Sequence, residues 1–316
     1  MKACVDIGGT KVAVSLAPSE NTASPSGIAL QHRRAEPTAK TGAPDVLARQ
    51  ILRLLGEACA SAGATVHDIE AVGVSSCGPF VHKAGMIELA APNICGGIAG
   101  PARGLPNDWT SAVLEAPLRA QFSNLWIEND GIAALQGIDH CAYITWSTGI
   151  GCGLCVDGHV LRGKQGNAGH AGHLFVSDNF DALCGCGNIG DVEALVAGNA
   201  MARRFGPRGY ADAARLLQAA QDGELAATAI VDEVCRVMGR ALYNLIVTLD
   251  LQRISLGGSV FWHHRDYLLP RLRPHISGKL AALTDGCDLV AAGLGERVGD
   301  YSALALINQS CYKSNS

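Results

Sequence analysis

The sequence is short of aromatic residues, of charge and of long apolar runs, and each shortage excludes something. Aromatic side chains are only 5% of the 316 residues, too few for a surface built on base stacking. Charged residues are 17% and the formal net charge is −4, so there is no basic field to attract nucleic acid. No apolar run approaches the roughly 20 residues that span a bilayer. No secretory signal opens the chain: Met1-Lys2 leads straight into a strand-like run. Cysteine is not scarce. The even count of 12 would suit disulfides, but Cys4, Cys141 and Cys155 lie inside apolar strand-like runs, where they read as small buried hydrophobes. The expectation is a reduced, cytoplasmic protein with no membrane and no nucleic-acid partner.

A hydrophobic content of 48% provides for a substantial core, and the length favours two domains or one large one. Lys2 to Ile7 reads as a strand, Gly8-Gly9-Thr10-Lys11 as a turn and Val12 to Leu16 as a second strand. Residues 18–27 read as a polar hairpin loop and Gln31 to Ala35 as a third strand. Leu47, Ile51, Leu54, Leu55 and Ala58 recur at helical spacing, which predicts a helix from Pro44 to Ala60. Ile69 to Ser75 and Leu125 to Glu128 read as strands, and residues 91–107 as irregular chain. Cys141 to Trp146, a glycine-rich turn over 147–153 and Leu154 to Val156 then repeat the opening pattern about 140 residues on. That repeat suggests two related domains. Leu225 to Leu251 reads as a long helix, Arg253 to Leu256 as a strand and Tyr301 to Asn308 as a final helix.

Four motifs carry chemistry. Asp6-Ile7-Gly8-Gly9-Thr10-Lys11 places adjacent glycines in a strand turn, where backbone N–H groups can approach an anion. Thr10 adds a hydroxyl, Lys11 a point charge, and Asp6 can hold Mg²⁺ through water. Ser147-Thr148-Gly149-Ile150-Gly151-Cys152-Gly153 offers a second such turn. Either alone is a plain hairpin; the pair favours phosphate. Gly257-Gly258-Ser259 lies between a strand and a helix, and suits either a nucleotide or an ordinary helix start. Glu128-Asn129-Asp130 ends a strand. Asp130 there can take a proton from an attacking hydroxyl, or simply cap a helix.

Together, DIGGTK, ND, STGIGCG and LGGS, in that order and spacing, resemble the ROK family of repressors and kinases over nearly the whole chain. The resemblance implies an α/β, actin-like ATPase fold: two RNase H-like domains around a cleft that takes ATP, Mg²⁺ and a sugar. It implies an N-terminal domain over 1–118, completed by a C-terminal helix over 300–316, and a second domain over 119–299. Family repressors carry an N-terminal DNA-binding domain. DIGGTK begins at residue 6, so the kinase branch is expected over a non-catalytic sugar sensor. Asp130 matches the general base. Asp6, Gly8, Gly9, Thr10, Lys11, Thr148, Gly149, Gly257 and Gly258 match ATP contacts. Ser76, Gly78, Asn93, Asn129, Asp130, His170 and Glu193 match sugar contacts. The resemblance also implies a homodimer.

The stretch GNAGHAGH, residues 166–173, holds the main departures. Most family kinases carry Glu where this chain has His170. A His there resembles the bacterial N-acetylmannosamine kinases, and a neutral imidazole can both donate and accept beside an acetamido group. The Ala91-Pro92-Asn93 segment looks more like the glucokinases, so glucose and N-acetylglucosamine stand as alternatives. His173, Cys184 and Cys186 match family zinc ligands, but Asp191 replaces the third cysteine. A Cys₂HisAsp zinc site, a weakened site and a metal-free loop are all open.

Overall fold

The computed structural model describes residues 1–19, 29–98, 104–133, 139–178 and 182–308. Most of the loop expected over 18–27 therefore lies outside the described residues, as does part of 91–107. The described chain forms two compact units, one comprising Met1–Gln136, Arg162–Ala168 and Arg297–Ser316, the other Gly137–Leu161 and Gly169–Glu296. Among the described residues no helix is long and apolar enough to cross a membrane.

The first unit holds strands β1 (Lys2–Ile7), β2 (Lys11–Ala17), β3 (Gln31–Pro37), β4 (Ala71–Ser76), β5 (Phe80–Lys83), β6 (Met86–Leu89), β7 (Ala112–Val113) and β8 (Leu125–Asn129). Its main sheet has the order β3-β2-β1-β4-β8, while β5, β6 and β7 form a small second sheet. The pairs β1/β2 and β2/β3 are antiparallel; β1/β4 and β4/β8 are parallel. Side chains alternate across β1. Ala3, Val5 and Ile7 enter an apolar cluster with Leu47, Ile51, Leu54, Leu55 and Ala58 of the helix Val46–Ser61. Burial of each large aliphatic group there is worth about 1.5–3 kcal/mol. Lys2, Cys4 and Asp6 take the opposite face. Lys2 Nζ donates to Asn308 Oδ1 at 2.7 Å, just past the helix Val298–Ile307, so this face is turned toward that helix.

The second unit holds β9 (Cys141–Trp146), β10 (Ile150–Val156), β11 (His159–Val160), β12 (Arg253–Gly257) and β13 (Asp288–Ala291), in the order β11-β10-β9-β12-β13. Antiparallel pairing of β9/β10 and β10/β11 is followed by parallel pairing of β9/β12 and β12/β13. The two sheets thus repeat one topology, as the paired turn motifs suggested. The helix Leu225–Leu249 buries Ile230, Val234, Met238, Leu242 and Leu245 in this unit's core.

The second glycine turn is tighter than the sequence suggested. Ile150 pairs with Trp146, Gly151 with Thr145 and Gly153 with Tyr143. Only Ser147, Thr148 and Gly149 form the turn, because ladder hydrogen bonds hold the later glycines in the strand. The final helix starts at Val298, three residues earlier than expected, and so takes in Asp300.

Candidate active site

Parallel strands β1, β4 and β8 end side by side, with Ile7 paired to Ser76 and Ser76 to Asn129. Carboxyl ends of parallel strands are where open α/β sheets bind ligands. Asp6, Ser76, Asn129 and Asp130 all lie at or next to this edge. The DIGGTK turn closes with a Gly8 N–H donating to the Lys11 carbonyl at 2.8 Å. Thr38 ties it down: its hydroxyl donates to the Gly8 carbonyl at 2.7 Å and its N–H to the Thr10 carbonyl at 3.1 Å. Thr10 and Lys11 remain exposed. Gly9 is required by packing, since a Cβ there would stand 2.9 Å from Asn93 Cβ. Asn93 Oδ1 is buried with no hydrogen-bond partner. Such an orphaned acceptor is uncommon and costly unless a ligand donates to it.

Asp130 opens a short helix directly after β8, and its Oδ1 accepts the Gly131 N–H at 2.8 Å. Asn129 is buried and also accepts that N–H, through Oδ1 at 3.0 Å. Burial pushes the Asp130 carboxyl up to about 6, against the lowering effect of the backbone hydrogen bonds. Asp6 is pushed up to about 7 by burial, then by the nearby carboxylates Asp300 and Asp130, with Lys11 and Arg33 opposing. Carboxylates that repel one another in a partly buried site form an oxygen donor set suited to a hydrated Mg²⁺. Ser76 is fully buried and its hydroxyl donates to the Cys77 carbonyl at 2.9 Å, which leaves it acceptor capacity only. Gly78 lies in the loop from β4 to β5.

Two residues here escaped the sequence reading. Asp300 is buried at 6% exposure and its Oδ2 accepts from Arg33 Nε at 3.0 Å. A lone carboxylate in the apolar run VGDYSALALI was the available signal. Asn167, inside GNAGHAGH, holds both backbone groups of Phe80: its Oδ1 accepts the Phe80 N–H and its Nδ2 donates to the Phe80 carbonyl, each at 2.7 Å. Only its place among glycines and alanines hinted at such a role.

In the second unit, the turn Ser147–Gly149 is fastened from one side by the helix Gly198–Phe205. The Gly198 N–H donates to the Ser147 carbonyl at 2.8 Å and the Asn199 N–H to the Thr148 carbonyl at 3.2 Å. From the other side, the Ser147 and Ser259 hydroxyls lie 2.9 Å apart, which brings the GGS motif to the same turn. Gly258 has φ +85°, and a Cβ there would come within 2.5 Å of the Trp146 carbonyl oxygen. Gly257 is buried beside it. Trp146 itself is fully buried, its indole N–H donating to the Val196 carbonyl at 2.8 Å. Glu193 Oε2 accepts the Ile150 N–H at 3.1 Å, immediately after the turn.

His170 precedes the 3₁₀ turn Ala171–His173, and the two imidazoles stack with centroids 6.1 Å apart and planes 18° apart. His173 belongs to a separate cluster. Its Nδ1 lies 3.1 Å from Asp191 Oδ2 and 3.7 Å from Cys184 Sγ, while Cys186 Sγ lies 3.5 Å from the same Asp191 oxygen. All four donor atoms fall within 4.8 Å of one another. Zinc bonds of about 2.0–2.3 Å in a tetrahedron require donor–donor edges of about 3.3–3.8 Å. The three distances lie at or near that range, so the residues fit a metal ion. Burial first, with Asp191 adding, pushes the Cys184 thiol well up. Burial would also raise Asp191, but hydrogen bonds from His173 and the Ala194 N–H outweigh it and hold the carboxyl low. Among the described residues every cysteine is free of disulfides.

The ROK family model matches residues 2–310. The N-acetylmannosamine kinase of Salmonella paratyphi B is 32% identical over 265 residues, which are 81% of this chain and 82% of that protein. The crystal structure of a ROK hexokinase from Thermus thermophilus aligns with a TM-score of 0.68 at 28% identity, covering 97% of both chains. A ROK family glucokinase from Streptomyces griseus, in complex with glucose and AMPPNP, aligns with a TM-score of 0.72 at 25% identity, covering 96% of this chain and 97% of that one. The fold is that of the actin-like ATPases, and the chain belongs to the ROK family.

Proposed function

We propose that the protein is a sugar kinase that transfers the γ-phosphoryl group of ATP to the C6 hydroxyl of an N-acylhexosamine, N-acetylmannosamine above others. The observation that carries this reading is Asp130, a half-buried carboxylate directly after β8, held by the Gly131 N–H and raised to about 6. A base poised near neutrality gives the most effective proton transfer. The C6 hydroxyl gives its proton to Asp130 as its oxygen bonds to the γ-phosphorus. The bond from that phosphorus to the β–γ bridging oxygen breaks, and ADP leaves with the electron pair.

Asn93, with its unpartnered Oδ1, and buried Asn129 suit ring hydroxyls that each donate one hydrogen bond and accept another. Ser76, Gly78, His170 and Glu193 complete the sugar contacts in this reading. Gly8, Gly9, Thr10, Lys11, Thr148, Gly149, Gly257 and Gly258 are the nucleotide contacts in this reading. Asp6 would hold Mg²⁺ through water, and when bound that ion supplies positive charge to the phosphate oxygens. His173, Cys184, Cys186 and Asp191 would hold structural zinc. A cytoplasmic homodimer completes the reading.

N-acetylmannosamine is favoured by His170 in place of the family Glu and by the 32% identical relative. Glucose is the second reading, favoured by the Ala91-Pro92-Asn93 segment. Incubation with ATP and N-acetylmannosamine should give the 6-phosphate, identified by phosphorus–proton NMR coupling at C6. Phosphate on any other carbon would overturn the assignment of the attacking hydroxyl.

A further inference from the structure

Asp191 uses its two carboxylate oxygens for two purposes. Oδ2 faces His173 Nδ1 at 3.1 Å and Cys186 Sγ at 3.5 Å, inside the candidate metal cluster. Oδ1 accepts the Ala194 N–H at 2.7 Å and so caps the helix Val192–Val196. That helix presents Glu193 in its first turn, and Glu193 Oε2 holds the Ile150 N–H at the edge of the second phosphate turn. Asp191 is fully buried, so neither of its oxygens has water as a substitute partner. A cysteine at this position could bind a metal, but its single sulfur is a weak acceptor and could not also hold the cap.

We propose that Asp191 is a positioning residue that binds the metal through one oxygen and fixes the Glu193 helix through the other. Filling of the cluster and placement of Glu193 are then one event. Asp191 Oδ2 would hold the metal, which would fix the carboxylate's orientation and with it the placing of Oδ1 against Ala194 N. The consequence for substrate affinity rests on the reading that Glu193 faces the sugar; the link between cluster and helix does not.

Two substitutions in the full-length protein separate the roles. Asp191→Cys restores a thiolate and removes the cap, whereas Asp191→Asn keeps a capping oxygen and removes the anionic ligand. With Co²⁺ as probe, sulfur-to-metal charge-transfer absorption should report two thiolates in the wild type and three in Asp191→Cys; Asp191→Asn should release the ion to a chelator sooner. Hydrogen exchange at the amides of residues 193–196 should be about five-fold faster in fully loaded Asp191→Cys than in loaded wild type, the effect of losing an ordinary cap. Chelation of the wild type should accelerate the same amides. The sugar KM should rise about five-fold in loaded Asp191→Cys with kcat held. An unchanged thiolate count in Asp191→Cys, or equal exchange in the two loaded proteins, overturns the proposal. Spectra and exchange as stated with an unmoved KM would uphold the link and remove Glu193 from the sugar site.

Discussion

Gly9 and Asn93 are packed so closely that a methyl group on Gly9 would stand 2.9 Å from Asn93 Cβ. The turn read as a phosphate cradle and the residue read as a sugar contact therefore share one packing contact. Asn93 Oδ1 is buried there without a partner. In Asn93→Ala, the sugar KM should rise by roughly 5- to 150-fold, the equivalent of about 1–3 kcal/mol for one lost hydrogen bond in a buried site. The Tm of the sugar-free protein should hold or rise, because an unsatisfied acceptor is removed. A large fall in Tm with an unchanged KM would make Asn93 a packing residue only.

Asp130 carries a prediction with a definite pH sign. Its carboxyl is raised from 3.8 to about 6 in the folded protein, so the native state binds this proton more tightly than the unfolded state. The resulting stabilisation is complete below about pH 3.8 and is lost as pH rises through about 6. Asp130→Asn should therefore be more stable than wild type at pH 7, by up to about 3 kcal/mol, with the gain vanishing near pH 4. Thermal melts across that range check the sign. The same variant should bind sugar yet lose roughly 10²–10⁴-fold in kcat. In the wild type, kcat/KM should fall below about pH 6, where protonated Asp130 can no longer accept the hydroxyl proton.

His170→Glu should replace the imidazole with the carboxylate acceptor that the family resemblance implies for this position, and move preference toward glucose. The ratio of kcat/KM for N-acetylmannosamine to that for glucose should fall by about tenfold or more, since a polar mismatch at a substrate group costs upwards of about 1.4 kcal/mol. An unchanged ratio would mean that His170 does not read the sugar.

Much of this was legible because local pattern and global fold agree. Ala3, Val5 and Ile7 alternate with Lys2, Cys4 and Asp6, and the sheet buries the first set against the helix Val46–Ser61. The turn motifs likewise announced two strand pairs, which the two sheets display in matching topology. Tertiary partners were not legible. Gly151 and Gly153 look like turn residues until Thr145 and Tyr143 pair with them. Asp300 looks like a helix-start acid until the fold buries it beside Arg33 and within the field of Asp6. The sequence placed Asp191 among metal ligands, but its second oxygen gains meaning only from Ala194 N, three residues on and one helical turn away.

The central claim is phosphoryl transfer to an N-acylhexosamine. An ATP-coupled assay across N-acetylmannosamine, N-acetylglucosamine, glucose and mannose tests it most directly. The account predicts turnover with the highest kcat/KM for N-acetylmannosamine. A strong preference for glucose would contradict the choice of sugar, and absence of ATP turnover with every hexose and N-acylhexosamine would contradict the kinase reading itself.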